Sequence, residues 1–246
     1  MTGNLAGSSR CTYARGMVRI LFRNLGRLFA VLLLGASVAA ASGPHLIVFG
    51  KWTAVPWTVG EGDEKPIALK VRPLLVDGRV KEFVLGPPHE VTDRLFVVRR
   101  AFRVNDSLPE ESAAPHWQWQ RGGWLLVDRA TGRISTINLP DFDVYYSAAS
   151  WYRDYVAYCG VSDDGKKVYA VVQQLSRRKP VMKKPLAGDG LKDDAAPDSA
   201  CSAPAWQRAP VRVSFDAAEG TRQTFAIRGH VVDLVNDTED DEEASK

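Results

Sequence analysis

The strongest constraint on the fold is a succession of short runs rich in Val, Ile, Tyr, Phe and Trp, separated by turn-forming pairs. These pairs, each ending in glycine, are typical of tight turns between strands. They occur at Asp77-Gly78, Gly122-Gly123, Thr131-Gly132, Asp164-Gly165 and Glu219-Gly220. No helical periodicity extends beyond about two turns. The sequence therefore predicts an all-β fold, either an antiparallel meander with propeller-like blades or an irregular β-sandwich.

The runs between these turns predict individual strands from their β-branched and aromatic content. The predicted strands are His45–Gly50, Ile67–Arg72, Val80–Leu85, Leu95–Val104, Trp117–Arg121, Trp124–Asp128, Arg133–Leu139, Trp151–Cys159, Lys167–Gln174, Val211–Phe215, Gln223–Ile227 and Val231–Val235. Residues 187–204 consist almost entirely of Ala, Gly, Asp, Ser and Pro and predict a flexible loop.

The N-terminal segment predicts export. Residues 1–41 contain five arginines and no acid, and they end in the apolar run Leu28–Ala41. That run is shorter than the roughly 20 residues of a membrane-spanning helix, and it closes on the A-x-A pattern of Ala39 and Ala41. The pattern is that of a signal peptide cleaved before Ser42, with Met17 as the expected true start. The alternative is an uncleaved anchor with its arginines in the cytoplasm.

Export changes the meaning of the charge. The full chain of 246 residues has a net charge of +3. Without the five leader arginines, 27 bases face 29 acids. We therefore expect a single β domain over residues 42–236, a disordered acidic tail over residues 237–246, no nucleic-acid partner, and no membrane span after cleavage. The expected location is the periplasm or the extracellular space.

The cysteine count fits an oxidising compartment. Cys11 belongs to the predicted leader, which leaves Cys159 and Cys201 as an even pair. We expect a disulfide between them. The alternative is a buried thiol at Cys159 and a free Cys201.

One stretch resembles a known architecture. Residues 124–186 carry a strand, an Asp-x-x-Thr-Gly turn and a second strand, and then a further pair of strands around Asp164-Gly165. This layout resembles a single blade of a β-propeller. The resemblance implies that the Asp and Gly residues shape hairpin turns and that the strands pack face to face.

Two aromatic patterns are candidate binding sites. Trp117 and Trp119 alternate along one predicted strand and so share a face with Arg121. They form either a platform for a sugar ring or cation, or, as the favoured interpretation, part of a β core. Trp151 and Arg153 share a face of another predicted strand. They mark either a buried ion pair or the floor of an anion-binding pocket.

Carboxylates supply the candidates for catalysis. Asp141 and Asp143 lie two residues apart beside aromatic residues, and Asp154 lies in the predicted strand Trp151–Cys159. Paired carboxylates can hydrolyse glycosidic bonds. The favoured interpretation of Asp141 and Asp143 is that they shape turns and cap backbone amides.

Other chemistry has little support in the sequence. His89 lacks a second histidine at zinc-site spacing, and no phosphate-binding, dinucleotide, esterase or Cys-x-x-Cys motif occurs. We therefore expect no metal and no cofactor. The basic residues at 177–184 are interpreted as solvated charges on edge strands.

The function predicted from these features is a binding or assembly module of the bacterial cell envelope, with an envelope protein or glycan as partner. One alternative is a hydrolase that acts on envelope glycans through Asp141, Asp143 or Asp154. The other alternative is a purely structural domain.

Overall fold

The computed structural model describes residues 44–58, 66–107, 114–186, 190–192, 195–216, 222–228 and 231–234. They belong to the compact unit Pro44–Lys246. Across these ranges the regular elements are all β-strands, and every strand pairing is antiparallel. The predicted all-β class is thereby confirmed. The predicted leader and acidic tail lie outside the described residues. Among the residues that are described, no helix has the length and hydrophobicity needed to cross a membrane.

The first sheet, sheet I, is built from the N-terminal half of the domain. Strands follow the order β1-β3-β4-β5-β6-β7, and β2 also pairs with β3. Its strands are β1 (Ile47–Phe49), β2 (Thr53–Trp57), β3 (Ile67–Val76), β4 (Arg79–Glu90), β5 (Leu95–Asn105), β6 (Trp117–Asp128) and β7 (Ile134–Ile137). The Asp77-Gly78 turn joins β3 to β4 with φ values of 52° and 75°, as a type I′ hairpin turn requires.

Two four-stranded meanders follow. Sheet II contains β8 (Ala149–Tyr152), β9 (Tyr155–Val161), β10 (Val168–Gln174) and β11 (Met182–Pro185). Sheet III contains β12 (Ala205–Arg208), β13 (Val211–Asp216), β14 (Arg222–Arg228) and β15 (Val231–Leu234). In both sheets each strand pairs with its neighbour in the chain, which keeps every connection local.

Alternate side chains of β9 belong to two different apolar clusters, one on each face of sheet II. Val156 and Tyr158 belong to a cluster that also includes Leu139, with Trp124 of sheet I packed against it. Ala157 and Cys159 belong to a second cluster, shared with residues of sheet III such as Phe215. Sheet II is therefore apolar on both faces, and this explains why the sequence of β9 lacks the polar alternation of a half-exposed strand.

A third cluster lies on one face of sheet I. Its buried members are Leu74, Val84, Phe96, Val98, Leu125 and Val127. Because side chains alternate along a strand, the opposite face of β5 and β6 presents a different set of residues. That opposite face carries the candidate site described below.

The predicted turn at Gly122-Gly123 is wrong. Strand β6 continues through both glycines, and the register of its pairing with β5 shifts between Arg99 and Ala101. A Cβ on Gly122 would lie 3.0 Å from Cβ of Arg100 and 3.2 Å from its carbonyl oxygen. Glycine is therefore needed for the close approach of two backbones at a β-bulge.

The predicted strand Trp151–Cys159 is two strands. Strand β8 ends at Tyr152 and β9 begins at Tyr155, and these two residues pair across a hairpin. Arg153 occupies the turn with a φ of 53° and is exposed. Arg153 is therefore neither a buried strand residue nor a pocket floor. The turn carries neither the glycine nor the asparagine that favours positive φ, so the sequence contained no signal for it.

The blade-like stretch contributes to two sheets. Strands β6 and β7 pair within sheet I, whereas β8 to β11 form sheet II. Residues 124–186 therefore do not form one propeller-type blade. Strands β2, β11 and β12 were not predicted, and each lies at the end of its sheet or shares its partner with another strand. Proline in β2 and β11, and charge in β11 and β12, weaken the strand signal but are tolerated at edges.

The described residues of the predicted loop form no strand, but they are held in place. Backbone amides of Asp198 and Ala200 donate to the carbonyls of Tyr145 and Tyr146, at 2.8 and 3.0 Å. Cys201 and Cys159 lie at disulfide distance with their Cα atoms 6.0 Å apart. This agrees with the predicted pairing of the two cysteines.

Candidate functional site

The face of β5 and β6 opposite the cluster of sheet I carries alternating arginines and tryptophans, and part of it is covered, since Val97 and Ala101 on this face are fully buried. Arg99 pairs with Trp124, Arg103 with Trp119, and Ala101 with Arg121. The bulge at Gly122 shifts the alternation by one residue, so that Arg121 and Trp124 both line the same cleft. We call this set the arginine–tryptophan track, and it consists of Trp117, Arg103, Trp119, Arg121, Arg99 and Trp124.

The inner end of the track opens into a cleft of about 750 Å³. Strands β2, β3, β4, β5 and β6 of sheet I form one wall, residues 148–151 around β8 form another, and Pro197 and Asp198 close a third side. A volume of this size accommodates a small ligand or one unit of a polymer. The aromatic lining residues are Trp57, His89, Trp124 and Trp151.

Two buried arginines share one carboxylate in the cleft. The side chains of Arg99 and Arg121 are 13% and 9% exposed, and that of Asp198 is 41% exposed. Nη2 of Arg121 donates to both carboxylate oxygens of Asp198, at 2.6 and 2.8 Å. Nη1 of Arg99 lies 3.8 Å from the nearer oxygen, which is beyond hydrogen-bond distance.

The remaining contacts of Arg99 are to uncharged groups. Nη2 donates to the carbonyl oxygen of Val144 at 2.7 Å, and Nε makes a long contact of 3.4 Å with that of Gly122. Burial, together with the nearby charge of Arg121, lowers the pKa of Arg99 to about 10, while Asp198 opposes this shift. Arg99 therefore stays protonated at neutral pH, and the three side chains carry one excess positive charge. Lys70 adds another cation to the lining.

The tryptophans of the cleft contact one another and the charged groups. Trp124 and Trp151 meet edge to face with ring centroids 5.2 Å apart, and His89 stacks on Trp151 at 6.0 Å. The guanidinium of Arg121 lies 5.1 Å from the ring centroid of Trp57. Within the described ranges, the buried Nε1 atoms of Trp124 and Trp151 have no hydrogen-bond acceptor. Trp151, predicted as a binding residue, thus lies in the cleft.

The outer end of the track is accessible to solvent. Trp117 is 56% exposed, and Trp119 is half-buried with its ring 5.1 Å from that of Phe83. The guanidinium of Arg103 lies 5.6 Å from the Trp117 ring and 5.5 Å from the Trp119 ring. The favoured expectation that this pair belongs to the core is wrong for Trp117, which is exposed near the start of β6.

The predicted carboxylates lie elsewhere. Asp143 accepts hydrogen bonds from the backbone amides of Tyr145 and Tyr146, at 2.7 and 2.9 Å, and so caps a turn. Asp141 forms an ion pair with Lys183 at 2.8 Å. Asp154 accepts a hydrogen bond from the Gln174 amide at 2.8 Å. None of the three lines the cleft, where Asp198 is the one carboxylate among the described lining residues.

Sequence reasoning missed Asp198 and Arg99. Asp198 lies in an Ala- and Asp-rich stretch, where nothing distinguishes it from its acidic neighbours. Its positive φ of 56° and its pairing with Arg121, 77 positions away, are visible only in three dimensions. Arg99 is adjacent to Arg100 in the sequence, and only the strand pairing shows which of the two faces the cleft.

The remaining predicted residues have local roles. Arg153 accepts a hydrogen bond on its carbonyl oxygen from Nε2 of His89 at 2.8 Å, which orients the histidine beside the cleft. Lys183 and Lys184 are exposed on the edge strand β11, as expected for charges that discourage edge pairing. No group of three His, Cys, Asp or Glu side chains suited to a metal ion occurs among the residues with described positions.

Comparison with known proteins adds no assignment, because no protein-family model, no curated protein and no solved structure matches this chain significantly. The site must therefore be interpreted from its own geometry.

Proposed function

We propose that this protein is a non-enzymatic binding module of the bacterial cell envelope that holds an acidic glycan along the arginine–tryptophan track. The observation that carries the proposal is the alternation of arginine and tryptophan along the paired strands β5 and β6, from the exposed Trp117 to the largely buried Arg99 in the cleft. An acidic glycan offers both partners that such a surface needs. Its sugar rings stack on aromatic faces, and its acidic groups pair with guanidinium groups.

The dimensions of the track suit an extended ligand. Trp117 and Trp124 lie seven positions apart on one strand, which corresponds to about 20 Å at the rise of a β-strand. That distance spans several sugar rings. Arg103 over Trp117 and Trp119 keeps a cation close to both rings, so the track offers cations for the acidic groups and aromatic faces for the sugar rings of such a ligand.

The composition of the cleft favours binding over hydrolysis. Glycosidases of the common retaining and inverting types use two carboxylates that flank the scissile bond. The described cleft residues include one carboxylate, Asp198, and it is already bonded to Arg121. Asp141, Asp143 and Asp154 remain the candidates for the hydrolase alternative, but their contacts hold local structure.

Export is part of the proposal. The predicted leader over residues 1–41 would direct the chain out of the cytoplasm, and a cysteine pair at disulfide distance fits an oxidising compartment. Edman sequencing of the product in an exporting bacterium should begin at Ser42. A product that begins at Met1 or Met17 would contradict cleavage.

Affinity electrophoresis of the full chain tests the binding proposal. We expect a soluble polyuronate to retard the protein and neutral dextran to leave its mobility unchanged. Replacement W117A removes one stacking platform and should weaken polyuronate binding about tenfold, because loss of about 1.4 kcal/mol corresponds to that factor.

Trp52 offers a matched control. It is also exposed, at 46%, and its ring contacts the guanidinium of Arg72, but it is not among the residues that line the cleft. W52A should leave polyuronate binding unchanged. Equal retardation by both polymers, or equal losses in W52A and W117A, would refute the proposed function.

A further inference from the structure

The cleft contains a cation without a carboxylate of its own. Asp198 directs both oxygens to Arg121 and lies 3.8 Å from Arg99. A buried charge is costly unless it is paired. Two buried guanidinium groups beside one carboxylate leave an uncompensated charge of +1, and the carbonyl groups that contact Arg99 cannot neutralise it.

The cleft also leaves one guanidinium donor without an acceptor. Nη1 of Arg99 has no acceptor within hydrogen-bond distance among the described residues. The Nε1 atoms of Trp124 and Trp151 are fully buried, so a ligand in the cleft would contact the rings and not these two donors. A guanidinium donor without an acceptor in the lining of a cleft points to a ligand that supplies oxygen atoms and negative charge.

We infer that the inner end of the track is a subsite for a sugar carboxylate, which pairs with Arg99 while Asp198 remains bonded to Arg121. This inference rests on the proposed function and specifies which acidic sugar unit the cleft accepts. A carboxylate pairs with the excess positive charge of Arg99, to which the exposed Lys70 of the lining adds, and it fits the planar fork of the guanidinium. The ring of the same sugar unit would lie against the tryptophans that line the cleft.

Asp198 then acts as a specificity-determining residue. It neutralises one of the two guanidinium groups and so lowers the positive charge that the subsite offers to an anion. Its backbone is held by the hydrogen bond to Tyr145, and Cys201 three positions later is paired with Cys159. These contacts fix the backbone segment that carries the Asp198 carboxylate.

Calorimetry with D-galacturonate and D-galactose tests the inference on the full chain. The two sugars differ in a carboxylate against a hydroxymethyl group. We expect galacturonate to bind at least tenfold more tightly than galactose. R99M should abolish this preference, whereas R100M should preserve it, because Arg100 lies on the opposite face and pairs with Glu82.

The decisive variant is D198N. Loss of its negative charge raises the charge of the cleft, so galacturonate should bind several-fold more tightly, opposite to the effect of R99M. A merely structural role for these residues would weaken binding in both variants. If R99M does not fold, R99K retains the charge without the planar fork, and it should lower the affinity for galacturonate but leave that for galactose unchanged.

The two proposals can fail separately. Equal affinity for both sugars, or weaker galacturonate binding in D198N, overturns the carboxylate subsite even if polyuronate binding depends on Trp117. Preference for galacturonate with opposite effects of R99M and D198N supports the subsite even if W117A leaves polymer binding unchanged.

Discussion

Strands β9 and β5 have the same geometry but differ in the polarity of their faces. Six of the seven residues of β9 are buried, and its two faces belong to two different apolar clusters. Strand β5 packs one face in the cluster of sheet I, and its other face combines the buried Val97 and Ala101 with Arg99 and Arg103. Sheet II therefore contributes mainly apolar packing, whereas the second face of sheet I also carries charges that line the cleft.

The largest expected effect tests the stabilising role of sheet II. Tyr158 is fully buried, and its hydroxyl donates to the carbonyl oxygen of Pro140 at 2.7 Å. Y158A should lower the free energy of unfolding by about 3–5 kcal/mol, because a large cavity replaces the ring. Urea unfolding measures the loss. Y158F, which keeps the ring, should cost about 1–2 kcal/mol, and equal losses in the two variants would contradict ring packing as the main contribution.

The cysteine pair gives the next effect on the same sheet. It links residues 42 positions apart, and the chain-entropy model predicts a loss of up to about 4 kcal/mol when a bond closing such a loop is removed. Unfolding of the wild type with and without dithiothreitol measures this. The reductant should have no effect on C201S, and no effect on the wild type would show that the thiols are free.

A smaller effect tests whether the bulge of sheet I serves the site. G122A introduces a Cβ 3.0 Å from Cβ of Arg100 and should cost about 1–3 kcal/mol through overpacking. Because the bulge places Arg121 and Trp124 on one face, polyuronate affinity should also fall. G123A is the control, since a Cβ there has no neighbour within 4 Å. Unchanged polyuronate affinity in G122A would show that binding does not depend on the bulge.

The smallest effect concerns the ion pairs of sheet I. The hydrogen bond from Arg94 lowers the pKa of Asp128 below its usual range, and Arg129 and His45 do the same for Glu90 and Asp77. A lowered pKa in the folded state stabilises the fold above the unfolded value of about 4. This stabilisation is lost as the pH falls through the lowered values.

Urea unfolding at pH 7 and at pH 2 tests this with D128N. The wild type should be the more stable protein at pH 7, and the difference should shrink toward pH 2. A difference that stays constant between these pH values would show that the charge of Asp128 does not contribute. The difference in unfolding free energy between the wild type and Y158A should stay the same at both pH values, because burial of the Tyr158 ring does not depend on a carboxylate charge.

The sequence predicted the fold class because alternation and turn chemistry are local properties. Asp77-Gly78 identifies a hairpin because glycine and aspartate tolerate positive φ. Gly122-Gly123 carries similar composition but lies inside a strand, since a glycine pair also suits a bulge. Arg153-Asp154 forms a turn without a turn signature. Whether each of these pairs forms a turn or continues a strand depends on its pairing with a neighbouring strand. The pattern of a single sequence does not show that pairing.

Local patterns in the sequence suffice for the all-β class, most strand positions and the pairing of the two cysteines, and they singled out Trp151, one of three tryptophans that line the cleft. The tertiary structure alone decided which arginine of the Arg99–Arg100 pair faces the cleft, that Trp117 is exposed, and that Asp198 is the carboxylate beside Arg121. The physical reason is distance along the chain. Strand propensity acts between neighbours, whereas a charged cleft forms between residues as far apart as Arg99 and Asp198, and their meeting depends on how the sheets pack.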